Sequence, residues 1–153
     1  MRLRVPADRL APMQAALARA GRREIGGQLF GEQLAPSDFR VTDIAIQARP
    51  GSVARFFVDL VQAGRDALSF HERTGHQYRR FNYLGEWHSH PSFAVQPSGA
   101  DHATMMSLTT DKDFPGTFAV LMIARLDPSE LRLGAWVYDL GGVQGPVILE
   151  IEA

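Results

Sequence analysis

Two histidines and one aspartate in the middle of the chain have the residue types and spacing of a metal site. His88 and His90 are separated by a single residue, and Asp101 follows in the same stretch. Side chains at positions i and i+2 share a face only in extended backbone, so we expect the histidines at the end of a strand. Two imidazoles and one carboxylate leave a fourth position open, which is the ligand set of a catalytic rather than a structural zinc.

The surrounding residues predict the elements that carry these side chains. The run from Phe81 to Trp87 is aromatic and apolar, as expected of a strand, and Pro91 removes a backbone donor and ends it. Ser98 with Asp101 three residues later is the pattern of a helix N-terminus with a capping box. A carboxylate in that first turn can fold back toward the strand end. An ordinary capping box without metal chemistry is the alternative interpretation.

A metal-activated water needs a general base, and two glutamates qualify. Glu24 precedes a glycine-punctuated stretch whose alternating apolar residues indicate a strand. Glu86 has the same strand parity as the two histidines and is the rival, either as the base or as a partner of a ligand. The pattern of residues leaves both open. His102, beside Asp101, is interpreted as a helix-surface residue rather than a fourth ligand.

Taken together, these residues resemble the signature of the JAMM (MPN+) metalloproteases, which include the zinc-dependent deubiquitinases. The matching positions are Glu24 with Gly27 and Gly31, then His88-Ser89-His90-Pro91, then Ser98 and Asp101. The resemblance covers roughly residues 10 to 140. It implies one zinc ion per chain held by His88, His90 and Asp101. It also implies that Glu24 is the general base and that Ser98 donates a hydrogen bond to the oxyanion.

The same resemblance carries expectations about fold, substrate and partners. It implies a cytidine-deaminase-like JAMM/MPN fold of the α/β (α+β) class, and cleavage after the C-terminal glycine of a ubiquitin-like protein. The implied partners are the tail of that protein, its conjugates, and E1- and E2-like conjugating enzymes. The run from Tyr83 to Pro91 is most similar to bacterial JAMM proteins found with ubiquitin-like conjugation genes in antiphage systems.

Three other functions remain open at this point. A zinc peptidase of the same fold that acts on a sulfur-carrier protein or a small peptide would share every catalytic residue. A non-catalytic interaction module is disfavoured because the ligand set and the base are intact. A role at DNA, suggested by similar metal motifs near bacterial repair functions, is disfavoured because sixteen Lys and Arg residues balance seventeen Asp and Glu residues.

Composition predicts one small domain spanning residues 1–153. The chain is 45% hydrophobic with a net charge of -1, which gives no basic field for nucleic acid. It contains no cysteine, so a thiol nucleophile and a disulfide framework are excluded. The N-terminus lacks an apolar signal-like region, and no run approaches the ~20 apolar residues of a membrane span. We therefore expect no membrane association and a cytoplasmic location.

The hydrophobic pattern predicts a central mixed sheet flanked by helices. Helices are expected at residues 12–20, 60–78 and 98–109. Strands are expected at residues 26–33, 39–47, 52–59, 81–90, 117–126, 131–139 and 146–151.

Overall fold

The computed structural model describes residues 1–47 and 60–153, and this part of the chain forms three helices and eight strands. The helices are α1 (Ala7–Ala20), α2 (Leu60–Arg73) and α3 (Gly99–Thr110). The strands are β1 (Arg2–Pro6), β2 (Gly26–Ala35), β3 (Asp38–Ile44), β4 (Phe81–Ser89), β5 (Ala119–Asp127), β6 (Glu130–Asp139), β7 (Gly142–Pro146) and β8 (Ile148–Glu152). The strand predicted at residues 52–59 lies outside the described residues.

The strands form one mixed sheet in the order β7-β6-β5-β4-β2-β3-β1-β8. The pairs β4–β5, β1–β3 and β1–β8 are parallel, and the remaining neighbours are antiparallel. A single residue, Val147, separates β7 at one edge from β8 at the other, and its N–H donates to the carbonyl of Ala135 in β6. The sheet therefore curls until its two edges approach each other. The predicted mixed sheet with flanking helices is confirmed.

The curled sheet encloses α1 on its inner face. The buried residues of this helix recur at helical spacing and are Leu10, Met13, Ala16, Leu17 and Ala20. They pack in one apolar cluster with buried residues of the strands, among them Leu3, Val5, Trp87 and Met122. This packing holds the sheet rigid beneath the residues that could do chemistry.

The two other helices cover the outer face of the sheet. From α3, Met105 packs against buried residues of β5 and β6, including Leu121 and Tyr138. From α2, Phe70 stacks on Phe30 of β2 with 4.8 Å between the ring centroids. The outer face of β4 therefore lies between two helices.

Several predicted boundaries differ from the structure for identifiable reasons. The strand β1 was not predicted, yet Leu3 and Val5 are fully buried because β1 pairs with both β3 and β8. Helix α1 begins at Ala7 and contains Pro12, because its buried face compensates for the missing backbone donor. Helix α2 ends well before residue 78, since Gly75 adopts a left-handed conformation that terminates helices. The predicted strand 146–151 is interrupted at residue 147, where the chain leaves β6 for β1.

The pairing of β4 with β2 contains a bulge. Consecutive residues of β2 lie opposite Gly85 and Tyr83, so Leu84 is an extra residue in β4. Gly85 has φ 153°, and a Cβ atom there would collide with the backbone oxygen of Val120 in β5, so only glycine fits. The bulge turns Leu84 into the inner core and brings Tyr83 to the same face as Glu86, although the two are three positions apart in the chain.

Candidate metal centre

The three predicted ligands come together at the end of β4. The Nε2 atoms of His88 and His90 are 3.1 Å apart. The Oδ1 atom of Asp101 lies 3.2 Å from His88 Nε2, and its Oδ2 atom lies 3.4 Å from His90 Nε2. Strand alternation aligns the two imidazoles as predicted, and α3 supplies the carboxylate from its first turn.

The spacing of these atoms fits a tetrahedral metal ion. Nitrogen and oxygen ligands lie about 2.0–2.2 Å from zinc, and at the tetrahedral angle two such atoms are about 3.3 Å apart. His88 Nε2 and His90 Nε2 are 3.1 Å apart, close to that edge length, and each lies within 3.4 Å of a different oxygen of the Asp101 carboxylate. With one ligand atom taken from each side chain, all three atoms lie within 4.8 Å of one another. Among the described residues, this is the one group of three or more His, Cys, Asp or Glu side chains with metal-binding proximity. The donor set is therefore suited to one divalent cation.

The capping box at the start of α3 orients the carboxylate. Ser98 Oγ accepts a hydrogen bond from the Asp101 N–H at 3.2 Å, and the Ser98 N–H donates to Asp101 Oδ2 at 2.7 Å. Burial acts to raise the pKa of Asp101, but hydrogen bonds from the two histidines and from Ser98 hold it well below its usual value. The capping interpretation and the metal interpretation are thus compatible, because one carboxylate makes both sets of contacts.

His90 is held in the orientation that a metal ligand needs. Its Nδ1–H donates to the backbone oxygen of Ala94 at 2.9 Å, which leaves Nε2 facing Asp101. The hydrogen bond with Asp101 raises the pKa of His90 most strongly, burial lowers it, and Ala94 and Glu24 raise it further. A backbone carbonyl therefore fixes the ring, a feature that the sequence did not predict.

Glu24 lies beside this cluster in a buried position. It immediately precedes β2, and its side chain is close enough to raise the pKa of His90. Ser89, between the two histidines, faces away from them and accepts the Ile25 N–H at 3.0 Å, while its own N–H donates to the Ile25 oxygen. These two hydrogen bonds fasten the backbone next to Glu24 to the end of β4. The sequence analysis gave Ser89 no structural role. The signal for one was a small polar residue between two histidines in a strand.

Glu86, the rival base, occupies the same face two residues before His88. Burial raises the pKa of Glu86, while His88 and the Tyr83 hydroxyl counteract that rise. Directly across the β2–β4 ladder lies Gln28. Glu86 is therefore near the three-residue cluster without being part of it.

His102 differs from its predicted surface role. It is half-buried, and its Nδ1 lies 2.9 Å from the hydroxyl of Tyr138, a fully buried residue of β6. Burial, together with the nearby charge of Asp101, raises the pKa of Tyr138 to about 12. This contact ties the first turn of α3 to the sheet. The sequence could not reveal it, because the two residues are brought together only by the packing of α3 on β6.

Comparisons with known proteins identify the family of this chain and one named relative. A family profile described as prokaryotic homologs of the JAB domain matches residues 6–137. A relative from Enterobacter hormaechei, named CD-NTase/cGAS isopeptidase, is 28% identical over 127 residues, which are 82% of this chain and 68% of that protein.

A solved structure also shares the fold. The solution structure of a protein from Desulfitobacterium hafniense matches with a TM-score of 0.72 and 18% identity, covering 98% of this chain and 92% of the other. At that identity the likeness concerns the fold alone.

Within the described residues, no helix has the length and apolar character needed to cross a membrane.

Proposed function

This chain belongs to the prokaryotic homologs of the JAB domain, and on that premise we propose that residues 1–153 form one zinc-dependent isopeptidase or peptidase domain. The resemblance to JAMM (MPN+) proteins that the sequence indicated is confirmed by this membership. Family membership and the isopeptidase relative support hydrolysis of a peptide or isopeptide bond. We propose that the bond follows the C-terminal glycine of a ubiquitin-like protein.

One observation carries the proposal. The imidazole nitrogens of His88 and His90 are 3.1 Å apart, and each lies within 3.4 Å of an oxygen of the Asp101 carboxylate, so three side chains of a zinc-type donor set meet at one point. These three side chains would hold the ion through His88 Nε2, His90 Nε2 and a carboxylate oxygen. When bound, zinc lowers the pKa of water to about 7 and polarises a carbonyl oxygen.

The residues around the cluster supply the proton chemistry. Glu24 takes a proton from the attacking water and returns it to the departing amine, so the hydroxyl adds to the carbonyl carbon while the C–N bond breaks. Ser98 Oγ accepts the N–H of Asp101, so its own hydrogen remains available to donate to the substrate oxyanion. Ser98 is exposed and can therefore meet substrate.

The family and the relative's name support the proposed substrate class. The name CD-NTase/cGAS isopeptidase supports an isopeptide bond rather than a sulfur-carrier precursor as the target. We propose that E1- and E2-like enzymes of an antiphage system form the conjugates that this protein cleaves. The intact ligand cluster and the buried Glu24 speak against a non-catalytic interaction module.

The test is cleavage of a ubiquitin-like protein joined through its C-terminal glycine to a fluorescent amine. Wild-type protein, Glu24→Ala and chelator-treated protein are compared, with zinc quantified in each. We expect turnover by the wild type, no turnover by Glu24→Ala despite retained zinc, and loss of turnover with loss of zinc on chelation. Full turnover by Glu24→Ala, or turnover unaffected by chelation, would overturn the assignment of the base or of the metal.

A further inference from the structure

We propose that Gln28, Tyr83 and Glu86 form a subsite that binds backbone N–H groups of the substrate, in the segment that ends at the scissile carbonyl. This inference deepens the proposed function and rests on it. The subsite lies on the outer face of β2 and β4, next to the metal ligands, and gives the enzyme a way to recognise extended peptide independently of side-chain identity.

The first observation is a pair of buried polar atoms that lack partners. Within the described part of the chain, the Oε1 atom of Gln28 and the hydroxyl of Tyr83 are shielded from solvent and make no hydrogen bond of standard length and angle. Buried polar atoms are almost always satisfied, so two adjacent exceptions indicate that a water or a ligand completes them. The carboxylate of Glu86 lies close by: burial raises the pKa of Tyr83 well above the usual value, and the charge of Glu86 and an imperfect hydrogen bond between the two groups raise it further.

Backbone geometry brings the three side chains to one face. Gln28 pairs directly with Glu86 across the ladder, and the pair Gly26–His88 lies two residues further along. The bulge at Leu84 places Tyr83 on this same face. Bulges near active sites commonly serve to redirect a side chain. The group is therefore a built feature of β4 and β2 and continues the line of the metal ligands.

The chemistry of these atoms selects hydrogen-bond donors. The side-chain oxygen of Gln28 accepts, and the carboxyl group of Glu86 supplies further acceptor positions. A hydroxyl such as that of Tyr83 both accepts and donates. The most abundant donor in a peptide substrate is the backbone N–H, which every residue except proline carries.

The direction of the substrate follows from the position of Glu24. Gly26 lies opposite His88 in the antiparallel pairing of β2 with β4. Glu24 precedes Gly26 in the chain and Gln28 follows it, so the two side chains lie on opposite sides of the metal ligands along the strand direction. Glu24 protonates the amine, so the leaving group lies on its side of the cluster. The acyl side of the substrate must then extend the opposite way, over His88 toward Glu86.

The distance along the strand matches a short stretch of peptide. Glu86 is two residues from His88, which corresponds to about 7 Å at 3.3–3.4 Å per strand residue. An extended substrate with its scissile carbonyl at the metal ligands spans that distance with its last two residues. Because consecutive N–H groups of an extended chain point to opposite sides, the proposed contact is the N–H group of one of those two residues.

The central variant is Tyr83→Phe, which removes one orphaned hydroxyl and leaves the ring. Binding is measured by NMR titration of Glu24→Gln protein with the peptide acetyl-Leu-Gly-Gly-aminomethylcoumarin, so that the probe is not consumed. We expect chemical shift changes at the Gln28 side-chain amide, and affinity weakened about three- to tenfold by Tyr83→Phe, the range of one neutral hydrogen bond. Thermal stability should change little, because the buried hydroxyl makes no well-formed hydrogen bond in the free protein.

Thr109→Val is the matched control. Its buried hydroxyl donates to backbone oxygens of Met105 and Asp139, at the opposite end of α3 from Asp101. This variant should lose stability and bind the peptide as well as its parent. If Tyr83→Phe likewise lost stability and bound the peptide as well as its parent, Tyr83 would have a merely structural role and the proposal would be overturned.

A modified peptide tests the N–H assignment itself. Replacing either glycine by N-methylglycine removes one donor, and at least one replacement should weaken binding to the parent protein about three- to tenfold. That loss should nearly vanish in Tyr83→Phe or Gln28→Leu protein, since the partner is already gone. If the losses of affinity from N-methylation and from the protein substitution were fully additive, or if all peptides bound equally well, the subsite would be overturned. Turnover of the same peptide by wild type, compared with Glu24→Gln, separates failure of the subsite from failure of the proposed function.

Discussion

Ser98 makes two separable contributions, and its substitution tests both. Its Oγ atom caps α3 by accepting the N–H of Asp101, and the proposed mechanism assigns the hydroxyl hydrogen to the oxyanion. The backbone N–H of Ser98 donates to the Asp101 carboxylate and is unaffected by the side chain at position 98. Zinc binding should therefore survive any change at this position that leaves the helix start folded.

The expected stability changes follow from capping energetics. Alanine in place of a serine cap costs about 1 kcal/mol, whereas glycine costs only a few tenths. In a chain of this length, 1 kcal/mol corresponds to a shift of about 2–4 °C in melting temperature. Ser98→Ala should therefore melt a few degrees below Ser98→Gly, which should be close to wild type.

The expected activity changes have a different order. Loss of one oxyanion donor lowers kcat by about 10²- to 10³-fold. Alanine and glycine lack the donor equally, so both variants should lose activity to this extent. Ser98→Thr keeps an oxygen for the cap and a hydroxyl to donate, so it is the matched control for both measurements.

The assay combines steady-state cleavage of the ubiquitin-like reporter with thermal unfolding and zinc analysis of all four proteins. We expect Ser98→Ala and Ser98→Gly to share a kcat about 10²- to 10³-fold below wild type, to differ in melting temperature and to keep full zinc content. Wild-type kcat in Ser98→Gly would refute the oxyanion role. A fall in activity that simply follows the fall in melting temperature would show that capping alone explains this residue.

Three further predictions concern the sheet. Gly85→Ala should reduce the free energy of unfolding by more than about 1–3 kcal/mol, because φ is strained for alanine and its Cβ meets the Val120 oxygen; unchanged urea denaturation would contradict the bulge geometry. Ser89→Ala leaves the buried Ile25 N–H without its side-chain acceptor and should cost about 1–3 kcal/mol, with reduced turnover as the segment next to the general base loosens; unaltered unfolding and turnover would refute this. The hydrogen bond from Arg4 lowers the pKa of the Asp38 carboxyl, so this pair stabilises the folded protein fully above about pH 4, and the stabilisation is lost as pH falls through the folded-state pKa. The melting temperatures of wild type and Asp38→Asn should therefore converge on acidification. A difference that persists at low pH would contradict this prediction.

The sequence could predict those parts of the site whose geometry is set by residues close together in the chain. Alternation along a strand places His88 and His90 side by side, and a capping box fixes Ser98 and Asp101 in one helical turn. Each of these relations involves residues close together in the chain. The strand over residues 81–90 and the helix over 98–109 were accordingly predicted within a residue of their observed bounds.

Relations between distant segments required the structure or the family resemblance. Glu24 was favoured over Glu86 mainly by resemblance, since its burial depends on the pairing of β2 with β4. The contact of His102 with Tyr138 depends on how α3 packs on β6. The aromatic and apolar run of β4 is interrupted by Gly85. Only the register of β4 with its two neighbours shows that this glycine follows a bulge at Leu84.

The edges of the sheet were the least predictable elements. The alternation of Leu3 and Val5 in β1 is too short to distinguish a strand from an irregular terminus. Its burial comes from pairing with β3 and β8, which are distant in sequence. The split of the last predicted strand similarly reflects a change of partner at Val147 rather than any local signal.

The most direct test of the central claim is the zinc content of Asp101→Asn compared with wild type. Asparagine keeps a side-chain oxygen for the Ser98 N–H, so the helix start should remain folded, as circular dichroism and thermal unfolding can verify. The account predicts about one zinc per wild-type chain and a large loss of zinc and turnover in the variant. Equal zinc content and equal turnover in the two proteins would contradict the assignment of His88, His90 and Asp101 as the metal ligands.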